Sequence, residues 1–186
     1  MEKVNLIIFV RRPEISLGKT RLKKRIGKIL GANFYYYNLI QTIKRLNADK
    51  RINITICTTP DSSIRNWPKN IFKTLPRIAQ GSGDIGTKMW KILSNNSNKK
   101  IIIGSDIPNI TSKIIIKAWK KLSSSQIVFG PSEDGGFWLI GLSQNHRIEN
   151  LFYNIDWNKN DTLKQVEYNI NSSVKISYVD TLVDID

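Results

Sequence analysis

Short apolar, β-branched runs alternate along this chain with segments of helical periodicity, and this alternation constrains the fold more than any other feature. Lys3 to Val10 is a nearly continuous apolar run that breaks at Arg11-Arg12-Pro13, the pattern of a strand buried on both faces. Ile52 to Thr58 alternates and is β-branched, Ile71 to Leu75 is a shorter strand candidate, and Ile101 to Ile103 is another buried strand. Phe34 to Leu46 places Phe34, Tyr37, Leu39, Ile40, Ile43 and Leu46 at mixed helical spacings, which predicts a helix with its tyrosines in core and rim. A helix is expected from Thr87 to Leu93, opening after glycine, and Thr111 or Ser112 can cap another that runs through Leu122. Gln126 to Phe129 and Phe137 to Leu142 are strands whose Gly-rich connection is too short for a parallel crossover, so they should pair antiparallel. Asp161 to Tyr168 reads as helix and Val174 to Val179 as a last strand. With no repeat and no linker, the expectation is a single α/β domain over residues 1–186, built on a mostly parallel, mixed sheet.

Composition removes several alternatives. A chain of 186 residues, 40% apolar and 24% charged, with Gly 11 and Pro 6, is neither disordered nor fibrous. The longest N-terminal apolar stretch, Leu6 to Val10, is too short for a signal-peptide core, and no later run approaches the roughly 18 residues of a membrane span. The single cysteine, Cys57, can form neither an internal disulfide nor a cysteine-rich zinc cluster, which fits a reducing cytoplasm. No feature of the sequence fixes an oligomeric state.

The formal charge of +14 is divided unevenly: residues 1–131 hold 25 basic and 6 acidic groups, whereas 132–186 hold 4 and 9. A positive excess attracts polyanions, but a coding bias toward Lys and Asn would raise it too. The local cluster is more informative: Arg11, Arg12, Lys19, Arg21, Lys23, Lys24, Arg25 and Lys28 are opposed only by Glu14.

Several motifs fail on inspection. Gly18-Lys19-Thr20 resembles the end of a phosphate-binding P-loop, but the first glycine of that motif falls at Pro13, which has no N–H to offer. Gly81-Ser82-Gly83-Asp84-Ile85-Gly86 satisfies a dinucleotide fingerprint with Asp106 twenty residues on, yet Pro76 interrupts the preceding strand and Asp84 sits where pyrophosphate would approach. Gly130-Pro131-Ser132-Glu133-Asp134 lacks the second glycine of a nucleophile elbow, and the only histidine, His146, lies in a polar loop. NAD binding, a serine hydrolase triad and a histidine metal cage are all disfavoured.

Two strand ends carry more persuasive chemistry, because ligands of open α/β sheets bind beyond the carboxyl ends of the strands. After the first strand, Arg11, Lys19 and Arg21 would present cations to phosphate oxygens, unless the loop is simply a solvated basic one. After the central strand, Asp106 lies between Gly104 and Pro108, either as a helix-capping acid or as an oxygen ligand for Mg²⁺ or Mn²⁺. Asp184 and Asp186 are two apart near the last residue and share a face if extended. A divalent ion between carboxylates and a polyphosphate, with basic groups on the remaining oxygens, would stabilise a diphosphate leaving group.

The blocks Phe9-Val10-Arg11-Arg12-Pro13 with Lys19-Thr20-Arg21-Leu22, Gln80 to Met89, Ile103 to Pro108, and Gly130 to Leu142 follow one another in a recognisable order, through Ile155-Asp156-Trp157 to Asp184-Ile185-Asp186. In that order and spacing the chain resembles the short GT-A-fold, glycosyltransferase-like family, also called radical-SAM/selenodomain-associated transferases. The resemblance implies a Rossmann-like, nucleotide-diphospho-sugar transferase fold, a three-layer sandwich related to the molybdenum-cofactor and phospholactate guanylyltransferases. It implies nucleotide binding by Arg11, Lys19, Arg21, Gln80 and Gly86, a metal held by Asp106, Asp184 and Asp186, and an acceptor side at Asp134, Gly135 and Gly136. Asp106, Lys19 and Asp134 are the catalytic candidates. One departure is that Ile15-Ser16 stands where the family usually has Pro-Gly, with Gly18 following two residues later.

The expected function is thus Mg²⁺- or Mn²⁺-dependent transfer from a nucleotide-activated donor to a small acceptor. Glycosyl transfer from a nucleotide-diphosphate sugar stands slightly ahead. The alternative is nucleotidyl transfer from a nucleoside triphosphate to a phosphorylated small molecule, with loss of pyrophosphate. A non-catalytic basic module binding nucleic acid ranks below both, since no RNP motif or recognition-helix signature is present.

Overall fold

A computed structural model of the chain describes residues 2–13, 27–68, 71–94, 98–144 and 148–183. Its strands are β1 (Val4–Arg11), β2 (Ile52–Thr59), β3 (Arg77–Ala79), β4 (Lys100–Gly104), β5 (Ile127–Pro131), β6 (Phe137–Leu142) and β7 (Ile176–Tyr178). The helices are α1 (Lys28–Asn47), α2 (Ile85–Leu93), α3 (Ser112–Lys121) and α4 (Thr162–Tyr168), with a short 3₁₀ turn over Asp61–Ile64.

The strands form one sheet in the order β3-β2-β1-β4-β6-β5-β7. Strand β1 pairs in parallel with β2 in the register Leu6↔Ile54 and with β4 in the register Leu6↔Ile101. As the short Gly-rich connection predicts, β6 runs antiparallel to β5, and it is antiparallel to β4 as well. The chain winds from β1 toward β3 on one side and then crosses to β4 on the other. The carboxyl ends of β1 and β4 therefore flank the point where winding reverses, the place where open α/β sheets form a crevice.

Alternating side chains build two cores, one on each face of the sheet. Leu6, Ile8, Val10, Ile101 and Ile103 pack with Tyr35, Leu39 and Ile43 of α1 and Ile115 and Ala118 of α3. Ile7, Phe9, Ile102 and Ile140 pack with Met89 and Leu93 of α2 and Val166 of α4. Helices thus cover both faces, giving the three layers expected. Among the described residues no helix is long and apolar enough to cross a membrane.

Three details differ from the sequence reading. Ile71 to Leu75 forms turns, closed by the Trp67 indole donating to the Ile71 carbonyl at 2.9 Å, and the edge strand begins only after Pro76. Helix α1 begins at Lys28, six residues before Phe34, because the small Gly31 and Ala32 supply its buried face there. Helix α2 begins at Ile85, since the Asp84 carboxylate accepts from the Thr87 N–H at 2.7 Å and caps it. That capping task gives the Gly-x-Gly run its purpose: Gly81 and Gly83 take positive φ of 80° and 100° to turn the chain into the cap.

Candidate active site

At the reversal point, the ends of β1 and β4 are tied together by a buried tyrosine. Tyr35 lies on the inward face of α1 and donates from its hydroxyl to the Arg11 carbonyl at 2.8 Å. The same hydroxyl is 3.3 Å from Ser105 Oγ, which donates to an Asp106 carboxylate oxygen at 3.3 Å. Burial, followed by the Asp106 charge, pushes the Tyr35 phenol well above its ordinary value, so it stays a neutral donor. Asp106 is half-buried, pinned between the buried Ser105 and Ile107, while Arg45 of α1 donates to the Pro108 carbonyl at 2.5 Å. Thr111 caps α3, accepting from the Ile114 N–H at 3.3 Å, so Asp106 does not serve as that helix cap.

Across Gly104 lies a cleft of about 250 Å³. Phe9 and Ile102 form its sheet side, Ile85 and Met89 its helix side, and Phe137 and Trp157 its aromatic wall. Ser132, Asp134, Lys159 and Thr162 bring the polar atoms. The Asp134 carboxylate is held by its own turn, one oxygen accepting from Ser132 Oγ at 2.5 Å and from the Gly136 N–H at 3.1 Å. Gly135 is obligatory there: its φ is +84°, and a Cβ would lie 1.7 Å from the Asn160 carbonyl oxygen. Its own carbonyl accepts from the Leu163 N–H at 3.0 Å, fastening the turn to the start of α4.

The structure brings Arg11 and Asp106 to one edge and Asp134 and Gly136 to the neighbouring cleft. Gln80 and Gly86 have other tasks. The Gln80 side chain is buried and donates to the Cys57 carbonyl at 3.0 Å and the Val10 carbonyl at 3.5 Å, bridging the ends of β1 and β2. Gly86 lets α2 approach the aromatic cluster, for a Cβ would fall 2.6 Å from Phe152 and 2.7 Å from Trp157. Lys19, Arg21, Asp184 and Asp186 lie outside the described residues. The chain leading to the last two runs beside β5, with the Leu182 N–H donating to the Pro131 carbonyl at 3.1 Å. Tyr35, Ser105, Ser132 and Lys159 escape sequence reasoning; for Tyr35 the signal was its helical spacing to Leu39 and Ile43 on the buried face of α1.

For a divalent cation, Asp106 supplies the hard oxygen donor such an ion prefers, at the edge where Arg11 also lies. Among the described residues no three His, Cys, Asp or Glu side chains converge as a ready-made metal cage. A carboxylate so placed fits the mode in which one or two carboxylates and substrate phosphates share the ion.

Residues 42–159 match the family described as "Uncharacterized protein conserved in bacteria" (DUF2064). No curated protein matches the chain by sequence. A candidate nucleotide-diphospho-sugar transferase from Desulfovibrio desulfuricans G20 superposes with a TM-score of 0.81 at 23% identity, covering 100% of this chain and 83% of that one. The 4-diphosphocytidyl-2C-methyl-D-erythritol synthase of Anaerococcus prevotii DSM 20548 gives 0.59 at 12% identity, over 96% of this chain and 89% of that one. Glucosyl-3-phosphoglycerate synthase of Mycobacterium tuberculosis, solved with Mn²⁺, uridine diphosphate and phosphoglyceric acid, gives 0.55 at 11% identity, over 100% of this chain and 71% of that one. The fold is therefore that of the nucleotide-diphospho-sugar transferases, the architecture that the sequence blocks imply.

Proposed function

This chain belongs to the DUF2064 family, and on that premise we propose that it is a transferase that uses a nucleotide-activated donor, passing a glycosyl group from a nucleotide-diphosphate sugar to the hydroxyl of a small acceptor. The observation that carries the reading is that Tyr35 and Ser105 tie the Arg11 main-chain carbonyl and the Asp106 carboxylate together at the reversal point of the sheet, with Asp134 lining the cleft beside Gly104. A cation and a carboxylate at that crevice suit a diphosphate, and a second carboxylate in an adjoining cleft suits an acceptor proton.

In this reading Arg11, with Lys19 and Arg21 from the basic segment, binds phosphate oxygens. The neutral Tyr35 hydroxyl keeps the Arg11 backbone and Ser105 in place, and Ser105 orients Asp106. Asp106, joined by Asp184 and Asp186, would hold Mg²⁺ or Mn²⁺, whose contribution when bound is to neutralise charge on the departing diphosphate. Asp134 takes the acceptor's proton as the acceptor oxygen bonds to the anomeric carbon; the bond from that carbon to the diphosphate breaks, and nucleoside diphosphate leaves with the electron pair. Ser132 and the Gly136 N–H hold one Asp134 oxygen, which fixes the carboxylate at the cleft it lines.

A second reading is nucleotidyl transfer to a phosphorylated acceptor, favoured by the eight basic side chains between Arg11 and Lys28, which suit the greater charge of a triphosphate. Thermal shift with UDP-glucose, GDP-mannose, CTP and GTP, each with and without Mn²⁺ or Mg²⁺, separates the two. A ligand at 100 times its Kd stabilises by about 2.7 kcal/mol. Stabilisation by a sugar nucleotide supports glycosyl transfer, stabilisation by a triphosphate alone supports the second reading, and stabilisation by neither contradicts both.

A further inference from the structure

Gly104 is a glycine without a backbone reason. It takes no positive φ, and a Cβ built on it would meet nothing within 4 Å, unlike Gly86, Gly130 and Gly135, where a Cβ would strike a neighbour. On β4 it shares the parity of Ile102, whose side chain faces the α2 side of the sheet, so the volume it leaves open belongs to the cleft.

The walls around that volume are mostly apolar. Phe9, Ile85, Met89, Phe137 and Trp157 are apolar or aromatic. Of the polar groups, Ser132 Oγ gives its proton to Asp134 and Thr162 Oγ1 donates to the Lys159 carbonyl at 2.8 Å, so both can only accept from a ligand. That leaves the Asp134 carboxylate, the buried Trp157 indole N–H, which finds no hydrogen-bond partner among the described residues, and the Lys159 ammonium, which is 3.8 Å from Asp156. A sugar or polyol would bring several hydroxyls to this surface, and each one stripped of water without a partner costs about 1–3 kcal/mol. A flat apolar body would instead be stabilised by about 25 cal/mol for every Å² it buries. At about 250 Å³ the cleft is small even among small-molecule sites.

We propose that the cleft between Gly104, the aromatic wall and Asp134 binds the acceptor, and that this acceptor is a small, flat, largely apolar hydroxy compound of the phenol or aryl-alcohol class, with its hydroxyl at Asp134. The class of compound follows from the cleft alone, while its role as acceptor rests on the transferase reading above. The glycosyl bond then forms on that hydroxyl oxygen, with Asp134 receiving its proton and nucleoside diphosphate leaving the donor.

Calorimetric titration of the full chain tests this with 4-hydroxybenzyl alcohol and, as a polyol of similar ring size, myo-inositol, each with and without UDP and Mn²⁺. The wild type should bind 4-hydroxybenzyl alcohol saturably and myo-inositol not at all. Gly104→Val, whose side chain would occupy the open volume, should weaken that binding at least tenfold while UDP binding and melting temperature stay unchanged; Gly104→Ala serves should the valine variant not fold. Myo-inositol binding as tight as the aryl alcohol, no aryl-alcohol binding, or equal binding by wild type and both Gly104 variants overturns the inference. If UDP and CTP fail to bind with Mn²⁺ while 4-hydroxybenzyl alcohol still does, the transferase reading falls and the ligand class stands.

Discussion

The Tyr35 hydroxyl donates to the Arg11 carbonyl at 2.8 Å, so a side chain from the first helix fixes the end of the first strand. Tyr35→Phe removes that bond and leaves a part-buried carbonyl with one partner fewer, a loss of about 1–2 kcal/mol in denaturant unfolding. Because the same hydroxyl contacts Ser105, which orients Asp106, the variant should also weaken Mn²⁺-dependent UDP binding several-fold. Unchanged UDP affinity would reduce Tyr35 to a core residue.

Alkaline stability follows from the same phenol. Tyr35 is held well above its ordinary pKa by burial and then by Asp106, and Tyr178 is pushed up to about 12 by burial and then by Glu167. In the unfolded chain both ionise near 10. The unfolded state therefore loses protons first, and folding stability should fall as pH rises through 10, adding to the loss that the buried Cys57 thiol brings from about pH 9. Tyr35→Phe should flatten that fall in a urea-midpoint series from pH 8 to 11; an equally steep loss in the variant would place its origin elsewhere.

Gly135→Ala should be among the most damaging small substitutions in the protein. It places a Cβ in a left-handed backbone conformation and 1.7 Å from the Asn160 carbonyl, so the Asp134 turn must leave its seat on α4. A loss of about 2–4 kcal/mol is expected. Gly104→Ala, by contrast, should shift the melting temperature little, and comparing the two variants by calorimetry checks the distinction.

Cys57 is fully buried in β2, and burial, followed by the Asp61 charge, pushes its thiol up to about 12. As the only thiol in the chain, it should react with a maleimide at the rate of unfolding and not of local opening. Labelling that follows the denaturant dependence of global unfolding agrees with this; fast labelling in native buffer does not.

Periodicity revealed most of the fold because the strands are long enough for burial to dictate their composition, as in Leu6 to Val10 and Ile101 to Ile103. It failed at the edge strand Arg77–Ala79, which carries too little pattern to outweigh the richer Ile71 to Leu75 that tertiary context turns aside. It also missed the first turns of α1, where Gly31 and Ala32 are buried by virtue of being small and leave no apolar signature. The strand-end rule pointed to the neighbouring ends of β1 and β4, where Arg11 and Asp106 stand, since topology alone brings such ends together. Gln80 looked like a ligand contact because a buried amide and a binding amide read alike in sequence; only its bonds to the Cys57 and Val10 carbonyls reveal its bridging task. Tyr35 and Gly104 were hidden for the opposite reason, one resembling an ordinary core aromatic and the other an ordinary turn glycine.

The role of Asp106 as the carboxylate that couples nucleotide to divalent metal is tested most directly by titrating UDP into wild type and Asp106→Ala, each with Mn²⁺ and with EDTA. The wild type should bind at least tenfold more tightly with Mn²⁺ than with EDTA, and Asp106→Ala should bind equally weakly in both while keeping its melting temperature. Equal affinity in the wild type with and without metal, or a metal-dependent gain that survives in Asp106→Ala, would contradict it.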